Sequence, residues 1–162
     1  MSPLGALEAS AFAQSLRGSS PLFMAVKAVH LAGIAALLAS ILVLDLRLLG
    51  LRRSTPVRRL ATRVLPWSAG SFLLIVPSGL VMFMAHPSAL IADPVFALKF
   101  CLILAAGANA AIFHTGAMRG ARQWDVDAMP PPGVRMAAAL SLLLWFSVAV
   151  CGRLLAAMTA GL

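Results

Sequence analysis

Residues 21–50 read PLFMAVKAVHLAGIAALLASILVLDLRLLG, with Lys27, Asp45 and Arg47 as the only charged side chains among them. A helix crosses the roughly 30 Å hydrocarbon core of a bilayer with about 20 apolar residues, at a rise of about 1.5 Å each. This stretch is long enough to span. It opens on Ser20-Pro21, a capping residue followed by a proline at the first helical position, where the missing N–H costs nothing.

Composition agrees with the stretch. Of the 162 residues, 61% are hydrophobic and 11% charged, and the formal charge is +8. A soluble domain carries roughly 25% charged residues, and a chain of this size has too little interior to hide so much apolar surface. Disorder needs low hydrophobicity, and a secreted disulfide scaffold needs far more than two cysteines. Nucleic acid is excluded as a partner because the basic residues do not coat a soluble face.

Three further segments qualify as spans. Thr55-Pro56 opens the second, basic at Arg58, Arg59 and Arg63, then apolar to Ala85, with kinks expected at Pro66 and Pro77. Asp93-Pro94 opens the third, over residues 94–117. The fourth covers 134–158, after the stiff Pro130-Pro131-Pro132-Gly133 stop. Ahead of them, Leu4, Leu7, Ala11, Phe12 and Leu16 recur at helical spacing, which predicts a short amphipathic helix over 3–17 lying in the membrane interface. No basic n-region precedes it, so it does not read as a signal peptide. The expected fold is an all-α, single-domain bundle of four transmembrane helices (21–50, 56–85, 94–117 and 134–158) preceded by that interfacial helix.

Arginine and lysine set orientation, because short loops rich in them stay cytoplasmic. Arg47, Arg52, Arg53, Arg58, Arg59 and Arg63 collect at the first junction, and Arg119, Arg122 and Arg135 at the third. The other side has only Arg17, Lys27, Lys99 and Arg153. The expectation is a multi-pass protein of the bacterial inner membrane, both termini periplasmic, with its arginines touching anionic lipid of the bilayer.

Ionisable groups at membrane depth are expensive and mark candidate sites. Sorted by depth, they form two layers roughly 22 Å apart by helix rise. The outer layer takes one residue from each helix: His30, His86, Lys99 and Arg153, with Lys27 beside them. Two imidazoles on facing helices are a ligand set for heme iron, and cations at the same level suit the propionates. Gly33 and Ala36 follow His30 on much the same face, leaving room for a flat macrocycle or allowing close helix packing. The inner layer holds Asp45, Arg47, Asn109 and His114. Asp45 with His114, or with an arginine of the second helix, reads as a buried structural pair. His114 is also a candidate heme ligand.

Met82, Met84 and His86 form M-x-M-x-H, and thioether with imidazole, joined by Met24 and His30, suits reduced copper. This is the competing cofactor reading. Cys101 and Cys151 sit in apolar helices and read as small hydrophobes. Asp125 and Asp127 read as solvated loop carboxylates. No G-x-S-x-G, P-loop, C-x-x-C or H-E-x-x-H motif is present, so catalysis would come through a cofactor.

The runs VHLAGIAALLASILVLDLRLLGL (29–51), ADPVFALKF (92–100), NAAIFH (109–114) and LSLLLWFSVAVCGRLLA (140–156), with the start ALEASAFAQSLRGS (6–19), resemble a family of uncharacterised bacterial four-helix membrane proteins. More loosely, VKAVH ending at His30 and LKF around Lys99 are similar to copper-resistance D (CopD) proteins and to heme-binding protoporphyrinogen oxidases of the HemJ type. These have a histidine early in the first helix and a lysine opening the third. That likeness implies heme b and redox work at His30 and Lys99. The fourth helix differs from the oxidase, with Cys151-Gly152-Arg153 in place of an asparagine-glutamate-proline type of motif, so a heme pocket is implied and porphyrinogen oxidation is not. The expected function is that of a b-type cytochrome-like protein, with heme near the outer face, passing electrons between a quinone or membrane partner and a periplasmic redox protein. Copper binding or transport, and a cofactor-free partner subunit, are the other two expectations.

Overall fold

A computed structural model describes residues 3–18 and 20–159, all helical or in turns and loops. The side chains of Leu4 and Ser20, and with the latter the expected Ser20 cap, lie outside the described ones. In chain order the helices are α1 (Pro3–Glu8), α2 (Ala11–Gly18), α3 (Ser20–Leu48), α4 (Val57–Ala85), α5 (Pro87–Ala92), α6 (Pro94–Thr115), a 3-10 turn (Ala117–Gln123) and α7 (Pro132–Thr159). Four stretches, Pro21–Leu48, Val57–Ala85, Pro94–Thr115 and Pro132–Met158, are long and apolar enough to cross a membrane. The chain is a multi-pass membrane protein.

Proline and the residue before it set the starts. Asp93 caps α6, its Oδ1 accepting from Val95 N–H at 2.7 Å, the arrangement that satisfies a free first-turn donor. At α4 the expected local cap does not form. Pro56 precedes the helix without a side-chain bond, and the donors are met from the far loop: Asp125 Oδ1 accepts from Arg58 N–H at 2.9 Å and Asp125 C=O from Val57 N–H at 3.1 Å. Asp125 is thus a cap supplied across the fold, not merely a solvated carboxylate.

The four long helices form two antiparallel pairs, α3 with α4 and α6 with α7, joined where α3 meets α7. Phe72 of α4 meets Trp145 of α7 edge to face at 6.2 Å, and Phe83 of α4 stacks on Phe96 of α6 at 5.7 Å. Because lipid replaces water outside, most apolar side chains stay exposed, and burial concentrates at one end. There Leu44, Leu48, Val57, Ala61, Phe113, Ala121, Trp124, Val134 and Ala138 make one cluster. This is the arginine-rich end. The opposite end, where α3 begins and α7 finishes, is called the terminal end below.

The amphipathic start differs from a single helix over 3–17. It breaks at Ala9-Ser10, where Ser10 Oγ accepts from Ala13 N–H at 3.2 Å and starts α2. Nor does it only lie in the interface, since Ala13 and Leu16 are buried against the bundle. Arg17 donates to Ala85 C=O at 2.8 Å, a carbonyl left open where α4 ends, and to Glu8 C=O at 2.6 Å. Glu8 Oε1 in turn accepts from Ser88 N–H at 3.1 Å in the first turn of α5. The pair α1–α2 is clasped over the terminal end of α4.

Candidate functional site

His30 lies on α3, half-buried, facing α4. Its Nδ1 is 3.1 Å from Ile75 C=O and 2.9 Å from Ser78 Oγ. A carbonyl only accepts, so Nδ1 carries the proton. Ser78 Oγ donates to the carbonyls of Leu74 and Ile75 and is free to accept from the ring. Nε2 therefore keeps its lone pair, and it has no hydrogen bond among the described residues. A Cβ added at Gly79 would stand 3.2 Å from His30 Cε1, so the imidazole rests against the bare backbone there.

Lys99 of α6 is half-buried and close enough for its ammonium to act electrostatically on His30. A Cβ at Gly152 would lie 3.6 Å from Lys99 Nζ. The structure thus brings Ser78 and Gly79 of α4 to His30 of α3, and sets Lys99 of α6 against Gly152 of α7, next in the chain to Cys151. Ser78, Gly79 and Cys151 were not singled out for this site from the sequence, although Ser78 stands at a buried position of an apolar helix, where a hydroxyl needs a partner.

The remaining outer candidates stand apart. His86 is half-buried at the break between α4 and α5, where it ends one helix and precedes Pro87 of the next. It is eight residues past Ser78, about 12 Å along the axis. Arg153 is exposed, and Lys27 sits over the Phe23 ring at 5.3 Å. Gly33 is closed by close packing: a Cβ there would come within 2.9 Å of Ile75 Cγ1 and 3.1 Å of Leu74 Cβ. Of its two expected uses, helix contact is the one observed.

The inner layer is arranged differently from the pairing expected. Among the described residues Asp45 forms no ion pair with His114. Asp45 is buried, the Ser141 hydroxyl of α7 faces its carboxyl, and Oδ2 has no partner among the described residues. His114 lies edge to face on Phe113. Arg47 turns the other way, into the loops. Its Nε donates to Thr55 C=O at 2.7 Å and its Nη2 to the carbonyls of Arg53 and Asp125, both at 3.0 Å. The two residues are two apart and so point to different sides of α3. Asn109 reaches Ala137 C=O at 3.0 Å and ties α6 to α7.

Among the described residues no group of three or more His, Cys, Asp or Glu side chains is placed to hold a metal ion. Cys101 and Cys151 are free thiols, the first exposed and the second buried.

The pattern of one protein family, described as a family of unknown function (DUF6644), matches residues 18–158. The chain belongs to that family. The match takes in all four membrane-crossing helices and every residue of the His30 cluster, and it begins after Arg17, so α1 and nearly all of α2 lie outside it. No curated protein and no solved structure matches. Membership of DUF6644 therefore carries no cofactor or reaction with it, and the likeness to copper-resistance D and HemJ-type proteins has no further support.

Proposed function

We propose that this DUF6644 protein is a membrane b-type cytochrome-like carrier, with His30 as the protein ligand to heme iron. The observation that carries the reading is the Ile75 carbonyl on His30 Nδ1. Metal-binding imidazoles are held in this way, one nitrogen donating to a carbonyl while the other is left to coordinate. Lys99, half-buried on α6 and close enough to act electrostatically on His30, supplies a cation for a propionate, and Arg153 at the rim of the terminal end supplies a second. The close contact at Gly33 leaves no space for a macrocycle between α3 and α4. Heme, when bound, would provide one-electron redox chemistry. The protein side of the work is to fix the imidazole, neutralise the propionates and keep water from the iron. The proposal extends to electron exchange between a quinone or other membrane partner and a redox protein at the terminal end.

His86 has no part in this ligand set, because its level on α4 differs from that of His30. A cofactor-free subunit is the second reading, favoured by the tight α3–α4 packing at Gly33. Copper rests on Met82 near the end of α4 and His86 at the break that follows it, with Met84, Met24 and His30 as the further donors. Absorption spectra of the purified protein, oxidised and dithionite-reduced, with metal analysis on the same sample, separate the three. We expect a heme b spectrum that His30→Ala abolishes and His86→Ala preserves. A colourless, metal-free preparation from heme-replete cells would refute both cofactor readings.

A further inference from the structure

On α4 the side chains of Arg59, Arg63 and Trp67 follow one another at intervals of four residues, so they form one stripe along the helix. All three are exposed, and Trp67 reaches 72%. Neither guanidinium has a hydrogen bond or ion pair among the described residues, unlike that of Arg47, which is taken up by the loops. One turn beyond Trp67, Gly70 is open, with nothing within 4 Å of a Cβ built on it. Exposed Leu73 and Leu74 continue toward the middle of the span. Pro66 lacks the N–H that would bond Thr62 C=O in the helix, which leaves an acceptor at the level of the arginines.

The order along the stripe is two cations, an acceptor, an interfacial indole, a notch and then aliphatic surface. A glycerophospholipid has the matching order: an anionic phosphate carrying its headgroup outward, then glycerol ester linkages, then acyl chain. Tryptophan prefers the ester level, and guanidinium binds phosphate through paired donors. The other exposed arginines lack this sequence. Arg119 and Arg122 lie on the 3-10 turn, where no long apolar helix continues from them.

We propose that the Arg59–Arg63–Trp67–Gly70 face of α4 binds a single anionic glycerophospholipid, with the phosphate at the two arginines and an acyl chain across the Gly70 notch. This surface is independent of the His30 site and of which way the protein is inserted. The occupant is a lipid and not free phosphate, because the cations end on an aliphatic groove.

Native mass spectrometry of the detergent-solubilised full chain, titrated with dioleoyl phosphatidylglycerol or dioleoyl phosphatidylcholine, tests it. The wild type is expected to retain the anionic lipid preferentially. Arg59→Gln with Arg63→Gln should lower that retention on the order of thirtyfold, at about 1 kcal/mol for each arginine. Gly70→Leu should weaken binding of the same lipid without changing the charge, and because the site is open it leaves folding intact, as size exclusion checks. An Arg119→Gln/Arg122→Gln control keeps the preference. Equal loss in that control, equal binding of both lipids, or displacement by inorganic phosphate at matched concentration would each overturn the proposal.

Discussion

Adding a methyl group to Gly79 or to Gly33 probes two different consequences of the same helix contact. At Gly79 the new Cβ meets the His30 ring edge at 3.2 Å, so Gly79→Ala is expected to displace the imidazole and alter a heme spectrum while costing little stability. At Gly33 the neighbours are Ile75 and Leu74 of α4, at 2.9 and 3.1 Å. Gly33→Ala is expected to cost about 1–3 kcal/mol, the usual range for overpacking, and to lower the melting temperature in detergent. Gly107, inside α6, has nothing within 4 Å, and Gly107→Ala should hold or slightly raise the melting temperature, because alanine favours the helix over glycine. If Gly33→Ala melts like the wild type, α3 and α4 are not in contact as described. Ser78→Ala removes one of the two acceptors on His30 Nδ1 and is expected to shift the spectrum without abolishing it, because the Ile75 carbonyl remains.

Between elements, Arg47 is the most connected side chain at the arginine-rich end. It is 2% exposed and joins the loop after α3 to the loop before α7 through three carbonyls. Hydrogen bonds from a charged group are worth about 1.5–3 kcal/mol each, and breaking them here strands buried acceptors. Arg47→Gln is therefore expected to destabilise by on the order of 3 kcal/mol and to open both loops to protease, whereas exposed Arg119→Gln does neither. Digestion patterns of the two variants decide it. The clasp also shows where sequence reading stops. The spans were legible within a few residues, since Pro56, Asp93-Pro94 and the Pro130–Pro132 run punctuate them and length does the rest. The faces that meet were not, because a helix in lipid is apolar on every side and its periodicity no longer points inward. Hence the Asp45–His114 pair was expected, whereas Asp45 is buried with its Oδ2 unpartnered among the described residues, and Arg47 was read as topology charge. Depth alone put His30, Lys99 and His86 at one level, but His86 stands at the helix break before Pro87, about 12 Å along the axis from Ser78.

Over the whole molecule, polarity is divided between an arginine-rich end tied together by Arg47 and a terminal end covered by α1 and α2. Removing residues 1–17 would delete the Arg17–Ala85 bond and the Glu8 carboxylate on Ser88. Faster hydrogen exchange confined to the terminal end of α4 and to α5 is the expected result, and exchange unchanged there would show that the N-terminal pair bears no load. On the proposed function the four-helix unit has two separate tasks, anchoring at one end and presenting His30 for coordination at the other. The most direct test of that second task is the reduced-minus-oxidised absorption spectrum of the wild type beside His30→Ala, both purified from heme-replete cells. A heme b difference band present in the first and absent from the second is the predicted result. A band that survives in His30→Ala, or no band in either, contradicts the assignment of His30 as the iron ligand.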